Sequence, residues 1–354
     1  MAEGGLIQPL LSNPLLLVVL ACGLDRLVGD PRWCPHPVVV MGWWITLLRR
    51  GAEAWAGTRA WKLRLAGGLI TLLLVGGSGL AGWGVEQLAP TPLLVVALAS
   101  ALAGRSLEQA VVGVLEALPN SLQAVQKQTD HAGEKPKLAA LQPARQALAW
   151  IVGRDTADLD APEILRAAAE TVSENAVDGL FAPLFWMLVG AGIWSLNPAL
   201  PGPLALAWGF KAASTLDSML GYRRGRFRWL GTAGARLDDL LVWLPCRLVA
   251  LGLPLATGQP GRCFSLLAAA LRDGAADPSP NAGVSQAAYA HAAGVQLGGC
   301  NRYGGQPTCK PLLAEGLAAP DGAAVRHMLE LSRRLELVWL ATAAVLAFIT
   351  KTLS

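Results

Sequence analysis

A chain of 354 residues that is 53% hydrophobic and only 15% charged, with a mean hydropathy of +0.42, lacks the roughly 25% of charged residues that keeps a soluble domain solvated; much of its surface must face lipid. The 13 Trp suit the aromatic belts of membrane interfaces. The net charge of +4 is too small to point to nucleic acid and is what basic loops retained on the cytosolic side leave behind.

Apolar stretches near the ~20 residues that cross a bilayer fall at about 6–24, 65–85, 91–104, 180–197, 203–220, 240–257 and 336–350. The first holds an unbroken run from Pro14 to Leu24, with no basic segment before it and no A-x-A site after it. The pattern predicts a retained span and not a signal peptide. Residues 25–64 then carry Arg26, Arg32, Arg49, Arg50, Arg59, Lys62 and Arg64. Residues 105–179 form a long polar stretch with helical periodicity at Leu107, Ala110, Val111, Val114, Leu115 and Leu118. Residues 221–236 are rich in Arg, and 258–335 form a second long polar stretch. The connections 86–90 and 198–202 are short and lack Lys and Arg. The positive-inside rule therefore places the long segments, about 105–179 and 258–335, in the cytosol.

The segment 240–257 does not fit this count. If it spanned, Arg262, Arg272, Arg302, Lys310, Arg326, Arg333 and Arg334 would lie outside, and it contains Pro245, Arg247 and Pro254. It is expected to be re-entrant, interfacial or buried. No strand-like alternation is convincing, so the expected fold is all-α, a polytopic transmembrane helix bundle forming a single integral membrane domain over 1–354. The cysteines Cys22, Cys34, Cys246, Cys263, Cys300 and Cys309 are scattered without a C-x-x-C pair. They are expected to be reduced thiols, with neither a zinc site nor a disulfide framework supported.

Six clusters carry residues capable of chemistry. Asp25, Asp30 and His36 follow the first apolar run, where Gly29 and Pro31 make a turn that fixes where Asp30 points; a solvated turn is the alternative. Arg154 stands beside Asp155, placed to clamp a phosphate, to pair internally or, at Asp155, to cap the next helix. Glu170, Glu174 and Asp178 fall at i, i+4 and i+8, with Asn175 among them. Like charges at that spacing repel, and a divalent cation with oxygen ligands, above all magnesium, offsets the repulsion; the alternative is a solvated acidic stripe. Lys211 and Asp217 occupy an apolar helix with Ser214, Thr215 and Ser218. Ions there are expensive and functional, unless they pair with each other. Arg236, Asp238 and Asp239 form a second candidate metal or acid–base group, or simple topological charges. Finally, Pro278 and Pro280 hold an extended loop that offers Ser279, Asn281 and the Gly283 backbone to an anionic ligand, or forms a plain turn. No Walker A, G-x-G-x-x-G or G-x-S-x-G sequence is present, so no standard P-loop serves ATP.

Taken in order, LDRLVGDPRWCPHPV (24–38), VGRDT (152–156), ETVSENAVDGLFAPLFW (170–186), FKAASTLDSMLGY (210–222), ARLDDLLVWLPCRL (235–248), DPSPNAG (277–283) and Tyr303-Gly304-Gly305 resemble the adenosylcobinamide-phosphate synthase family of cobalamin biosynthesis (CobD/CbiB), over about residues 20–305. The resemblance implies a multi-pass enzyme of the inner (plasma) membrane with its active site facing the cytosol. It implies ATP-dependent amide ligation of (R)-1-aminopropan-2-ol phosphate to the propionate carboxylate of adenosylcobyric acid, giving adenosylcobinamide phosphate. ATP is then a co-substrate and Mg2+ the cofactor. The corrinoid, the amino-alcohol phosphate, the bilayer and other membrane-bound enzymes of cobalamin assembly are the implied partners. For such chemistry the candidate catalytic groups are Asp30, His36, Glu170, Glu174, Asp178 and Asp217. The candidate metal ligands are Glu170, Glu174, Asp178, Asp238 and Asp239. Candidate substrate or phosphate contacts are Arg154, Asp155, Asn175, Lys211, Ser218, Arg236, Ser279, Asn281 and Gly283.

The main alternative is a membrane transporter of a polar or corrinoid solute, since Lys211, Asp217 and a broken 240–257 are also what transporter sites look like. The clustering of charge at one face and the absence of an inverted repeat weigh against it. A non-catalytic scaffold for corrinoid enzymes is the second alternative. The spaced Asp signature of CDP-alcohol phosphotransferases is absent.

Overall fold

The computed structural model describes residues 13–30, 36–119, 138–222 and 224–353. The start of the first apolar run, before residue 13, and the turn at 31–35 with Cys34 lie outside the described residues. In chain order the helices are α1 (Pro14–Val28), α2 (Pro37–Ala56), α3 (Ala60–Leu88), α4 (Thr91–Ala99), α5 (Gly104–Glu116), α6 (Gln142–Ala149) and α7 (Ala161–Ala176). A π-turn, Val177–Phe181, joins α7 to α8 (Ala182–Leu196). Then follow α9 (Pro203–Leu220), α10 (Phe227–Leu230), α11 (Thr232–Ala256), α12 (Cys263–Gly274) and α13 (Ala282–Ala293). A hairpin of β1 (Leu297–Tyr303) and β2 (Gln306–Leu313) precedes the last helix, α14 (Gly322–Leu353).

The all-α expectation holds, with the hairpin as its exception. Among the described residues four helices are long and apolar enough to cross a membrane: Ala60–Leu88, Thr91–Glu116, Ala161–Leu196 and Thr232–Ala256. The last corrects the reading of 240–257 as a broken segment. It is one continuous helix in spite of Pro245 and Pro254. Pro245 has no amide hydrogen to give to the Leu241 carbonyl four residues back, and the Trp186 indole Nε1 donates to that carbonyl instead, at 3.2 Å. A side chain from a neighbouring helix thus satisfies the group the proline frees.

The chain divides into two compact units, each drawn from separated stretches. The first comprises the residues up to Arg105, Asp178–Val242 and the end of the chain from Thr342; the second comprises Ser106–Val177 and Trp243–Ala341.

In the first unit α9 lies along α3. Close approach depends on Gly82, where a Cβ would fall 2.8 Å from the Ala205 Cα, the small-residue contact that membrane helices favour. Met41, Ile45, Leu63, Ile70, Leu74, Leu216, Leu220 and Leu230 form the apolar core beside it. Glu86, buried near the end of α3, accepts the amides of Gly202, Leu204 and Ala205 at 2.9, 2.6 and 3.1 Å. It satisfies the otherwise orphaned donors at the start of α9.

In the second unit α7 begins in a capping box. The Asp160 side chain accepts the Glu163 amide, and the Glu163 side chain accepts the Asp160 amide, both at 2.9 Å. Helices α12 and α13 meet at Gly274 and Gly283, where a Cβ on Gly283 would lie 2.6 Å from the Gly274 carbonyl oxygen.

The hairpin was not expected. Its turn is Gly304-Gly305, with φ of +58° and +78°, the left-handed pair that a two-residue hairpin turn requires. Counting outward, Tyr303 faces Gln306, Arg302 faces Pro307, Asn301 faces Thr308 and Cys300 faces Cys309. That register brings the last two together as a disulfide, which corrects the expectation of reduced thiols throughout. Cys22, Cys246 and Cys263 form no disulfide. The strands escaped notice because β2 is exposed along most of its length and so has no buried face to impose apolar alternation.

Candidate functional site

In the first unit the chemistry converges on Lys211. It projects from the middle of α9, and the carboxylates whose charge it feels are Asp178, Asp30, Asp238 and Asp25. Asp238 in turn feels Asp217 and Asp239. These groups come from the end of α1, the π-turn, α9 and the first turns of α11, so one lysine gathers acids spread from residue 25 to residue 239. Asp25 is 1% exposed and its Oδ2 accepts the Arg105 amide at 3.3 Å, at the positive end of α5.

His36 caps α2. Its Nδ1 accepts the Val38 amide at 3.3 Å, and its Nε2 lies 3.2 Å from Asp30 Oδ1 without a hydrogen bond between them. Ser218 is exposed and its hydroxyl donates to the Thr215 carbonyl at 3.0 Å. Arg236 is exposed on the first turns of α11.

A π-turn begins at Val177, between Glu174 and Asp178 of the expected acidic face. The wider π-turn interrupts the helical register at Asp178, a distortion often found at functional sites, and the Ala103 amide donates to the Gly179 carbonyl within it at 2.9 Å. Asp178 belongs to the Lys211 cluster of the first unit. Glu170 and Glu174 belong to the second.

There Glu170 is 4% exposed and saturated. Arg154 Nη2 bonds its Oε2, Arg166 Nη1 lies 3.4 Å from its Oε1, and the Gly298 amide donates to Oε1 at 3.0 Å. Arg154 also donates to Asn301 Oδ1 at 2.8 Å. The alternative of internal pairing therefore describes Arg154. Asp155 does not cap α7; its carboxylate accepts the turn amides of Gly304 and Gly305 at 3.1 and 2.7 Å. Glu174 accepts from Gln286 Nε2 at 2.9 Å, and Asn175 is exposed.

Lys310 pairs with Asp277 at 2.9 Å. Burial works against its charge, but the bond to Asp277 and the charges of Asp277 and Glu174 outweigh burial and hold its pKa above the usual lysine value. The loop 277–283 faces inward rather than toward a ligand. Asn281 is 6% exposed and its Oδ1 accepts from Arg247 at 2.7 Å, while Arg247 also donates to the Pro280 carbonyl at 2.8 Å. The Ser279 hydroxyl accepts the amides of Asn281 and Ala282 at the start of α13, both at 3.3 Å, and Gly283 serves helix packing.

A further pair, Asp273 and His291 at 2.8 Å, also receives the Ala314 amide at 3.2 Å. Burial raises the Asp273 pKa, but the bonds from His291, Ala314 and Arg272 outweigh it and hold it below the usual range.

Sequence reasoning did not single out Arg166, Asp273, Gln286, His291, Asn301 or Lys310. Arg166 was legible, four residues before Glu170 on one helix. The others carry no local signal, because their partners are remote in sequence.

The implied magnesium can be tested against these donors. Among the described residues no three His, Cys, Asp or Glu side chains converge to hold a metal ion. Magnesium commonly takes one or two carboxylates and fills its shell with waters and phosphates. Asp238 suits that habit, since its Oδ1 is buried with no hydrogen-bond partner in the structure and Asp217 and Asp239 stand near it. Glu170 does not, because its oxygens are already taken.

A polytopic helical membrane protein with a lysine-centred acidic cluster is the class these features define. Residues 18–332 match the family model described as CobD/Cbib protein, and the chain belongs to that family. It is 40% identical over 334 residues to "Cobalamin biosynthesis protein CobD" of Synechocystis sp., covering 90% of this chain and 89% of the relative. It is 40% identical over 353 residues to the protein of the same name from Pelobacter propionicus, covering 96% and 98%. It is 36% identical over 345 residues to "Cobalamin biosynthesis protein CbiB" of Salmonella typhi, covering 94% and 95%. No solved structure matches it.

Proposed function

We propose that this chain acts in cobalamin biosynthesis as an adenosylcobinamide-phosphate synthase. It joins (R)-1-aminopropan-2-ol phosphate to the propionate carboxylate of adenosylcobyric acid with ATP, at the inner membrane and with its site toward the cytosol. The names of the relatives support the pathway. The observation that carries an enzymatic reading is that the charges of Asp25, Asp30, Asp178 and Asp238 all act on Lys211, an ion on an otherwise apolar helix, where such groups are costly and mark function.

An amide cannot form from a free carboxylate until its oxygen is made a leaving group. In the proposed reaction a propionate oxygen attacks the γ-phosphorus of ATP and ADP leaves. Such transfers need positioning and charge neutralisation above all. Lys211 would supply one positive charge to the phosphates, and Asp238 with Asp239 would hold Mg2+, whose charge would offset the rest. Asp30, beside His36, takes a proton from the ammonium of the amino alcohol. The freed lone pair attacks the acyl carbon, the C–N bond forms, and the C–O bond breaks with phosphate taking the electron pair.

The test uses protein purified in detergent, mixed with adenosylcobyric acid, aminopropanol phosphate, ATP and magnesium. Mass spectrometry is expected to find adenosylcobinamide phosphate only when ATP and protein are both present. Folded protein that makes no product, with other amino-alcohol phosphates also tried, sinks the ligase reading. Solute uptake by proteoliposomes without product would replace it with transport.

A further inference from the structure

The hairpin supports an inference that does not depend on the proposed reaction. A two-stranded hairpin is marginally stable by itself in water, yet this one holds the guanidinium groups of the second unit. Asn301 takes Arg154 at 2.8 Å, and the Gly298 and Cys300 carbonyls take Arg166 at 2.6 and 3.2 Å. The Arg302 carbonyl accepts the Asp155 amide at 2.8 Å, and the turn amides bind the Asp155 carboxylate. The contacts to Arg154 and Arg166 come from β1 and those to Asp155 from Arg302 and the turn, so they depend on the position of β1, which its pairing in register with β2 braces. The Cys300–Cys309 bond ties that register covalently across a sequence separation of 9. Both cysteines are exposed, while Asn301 between them and the network is buried. The sulfurs face solvent on one side of a ribbon whose other side holds the network.

The hairpin itself carries Arg302 and Lys310 within a basic stretch, and the inference rests on the cytosolic side that the proposed function gives to this stretch. Disulfides in that compartment are transient or sensing rather than permanent. We propose that Cys300 and Cys309 form a thiol–disulfide exchange site, at which a dithiol reductant opens the clasp and loosens the hold on Arg154, Asp155 and Arg166. A thiolate of the reductant attacks one cysteine sulfur, the Cys300–Cys309 bond breaks, and the other cysteine leaves as a thiolate and takes up a proton. The second thiol of the reductant then resolves the mixed disulfide. Two electrons and two protons pass to the cysteines, and the reductant ends as its own disulfide. Cys22 and Cys246 are buried and do not compete.

The full chain in detergent, oxidised with diamide and then titrated with dithiothreitol, tests this. At each step the thiols are alkylated and mapped by peptide mass spectrometry, and amide hydrogen exchange is followed. Cys300 and Cys309 are expected to be unlabelled at the start and fully labelled after reduction, with Cys22 and Cys246 unlabelled throughout. Amides of 297–313 are expected to exchange at least tenfold faster after reduction, while those of α3 are unchanged. The C300S/C309S variant is expected to exchange at the fast rate with or without dithiol; if it does not fold, the wild-type titration decides alone. Labelling of either cysteine in the diamide-treated chain overturns the proposal. So does a bond that opens only when helix content is lost, or a reduction that leaves exchange over 297–313 unchanged.

Discussion

Glu170 in the second unit and the acids near Lys211 in the first are two different settings for a carboxylate. In the second, Glu170 meets two guanidinium groups and a backbone amide. In the first, the charges of four carboxylates act on Lys211, and the buried Oδ1 of Asp238 has no hydrogen-bond partner. A satisfied buried ion is a structural element whose loss leaves its partners stranded. A buried carboxylate oxygen without a hydrogen-bond partner, as at Asp238 Oδ1, is the kind of group that functional sites keep. Residue type does not separate the two cases; the partners do.

The contrast can be broken most directly at Glu170. Glu170→Gln leaves Arg154 and Arg166 buried without their counter-ion, and is expected to lower stability by about 3–5 kcal/mol, read as an early thermal transition. A variant as stable as wild type but devoid of activity would move Glu170 to the catalytic side. Asp238→Asn is the converse. It is expected to cut product formation by about 10²–10³, as losing one preorganised electrostatic group does, with the melting temperature held. Retained turnover would remove Asp238 from the site.

Asp155→Ala sharpens the second unit. Losing a carboxylate that binds two turn amides is expected to cost about 1–3 kcal/mol, seen as faster exchange at Gly304 and Gly305 before any global change. The smallest effect concerns acid. The folded-state pKa of Asp273 is lowered, so below the ordinary Asp value of about 3.9 the folded state binds fewer protons than the unfolded. Its stabilising contribution is complete above that range and is lost as pH falls through the lowered value. Melting temperatures measured between pH 5 and pH 2 should fall more steeply for wild type than for Asp273→Asn; parallel curves would show that the His291 contact carries no linkage.

Some of this was legible from the chain alone. The charge deficit determined the membrane class, because no arrangement of so few ions solvates a soluble surface. The Asp30, Asp178, Lys211, Asp217, Asp238 and Asp239 candidates were all visible as ions beside apolar runs, since the cost of burying a charge is a local property of sequence. The Gly304-Gly305 pair was visible too, although its meaning as a hairpin turn was not, since exposed strands need no alternation.

Tertiary structure alone decided which carboxylates share a site. Helical periodicity put Glu170, Glu174 and Asp178 on one face, and the tertiary structure gives them different partners, Arg154 and Arg166 for Glu170, Gln286 for Glu174 and the charge of Lys211 for Asp178. It also decided that the proline-containing α11 stays continuous, because a Trp186 donor replaces the missing amide, and which groups within the chain Arg154, Asp155 and Asn281 bond. Interleaved segments build both units, so no composition shift marks a boundary. A local pattern states what each residue costs to bury. Only the fold determines which distant partner offsets that cost, because the partner is chosen by proximity in space and not along the chain.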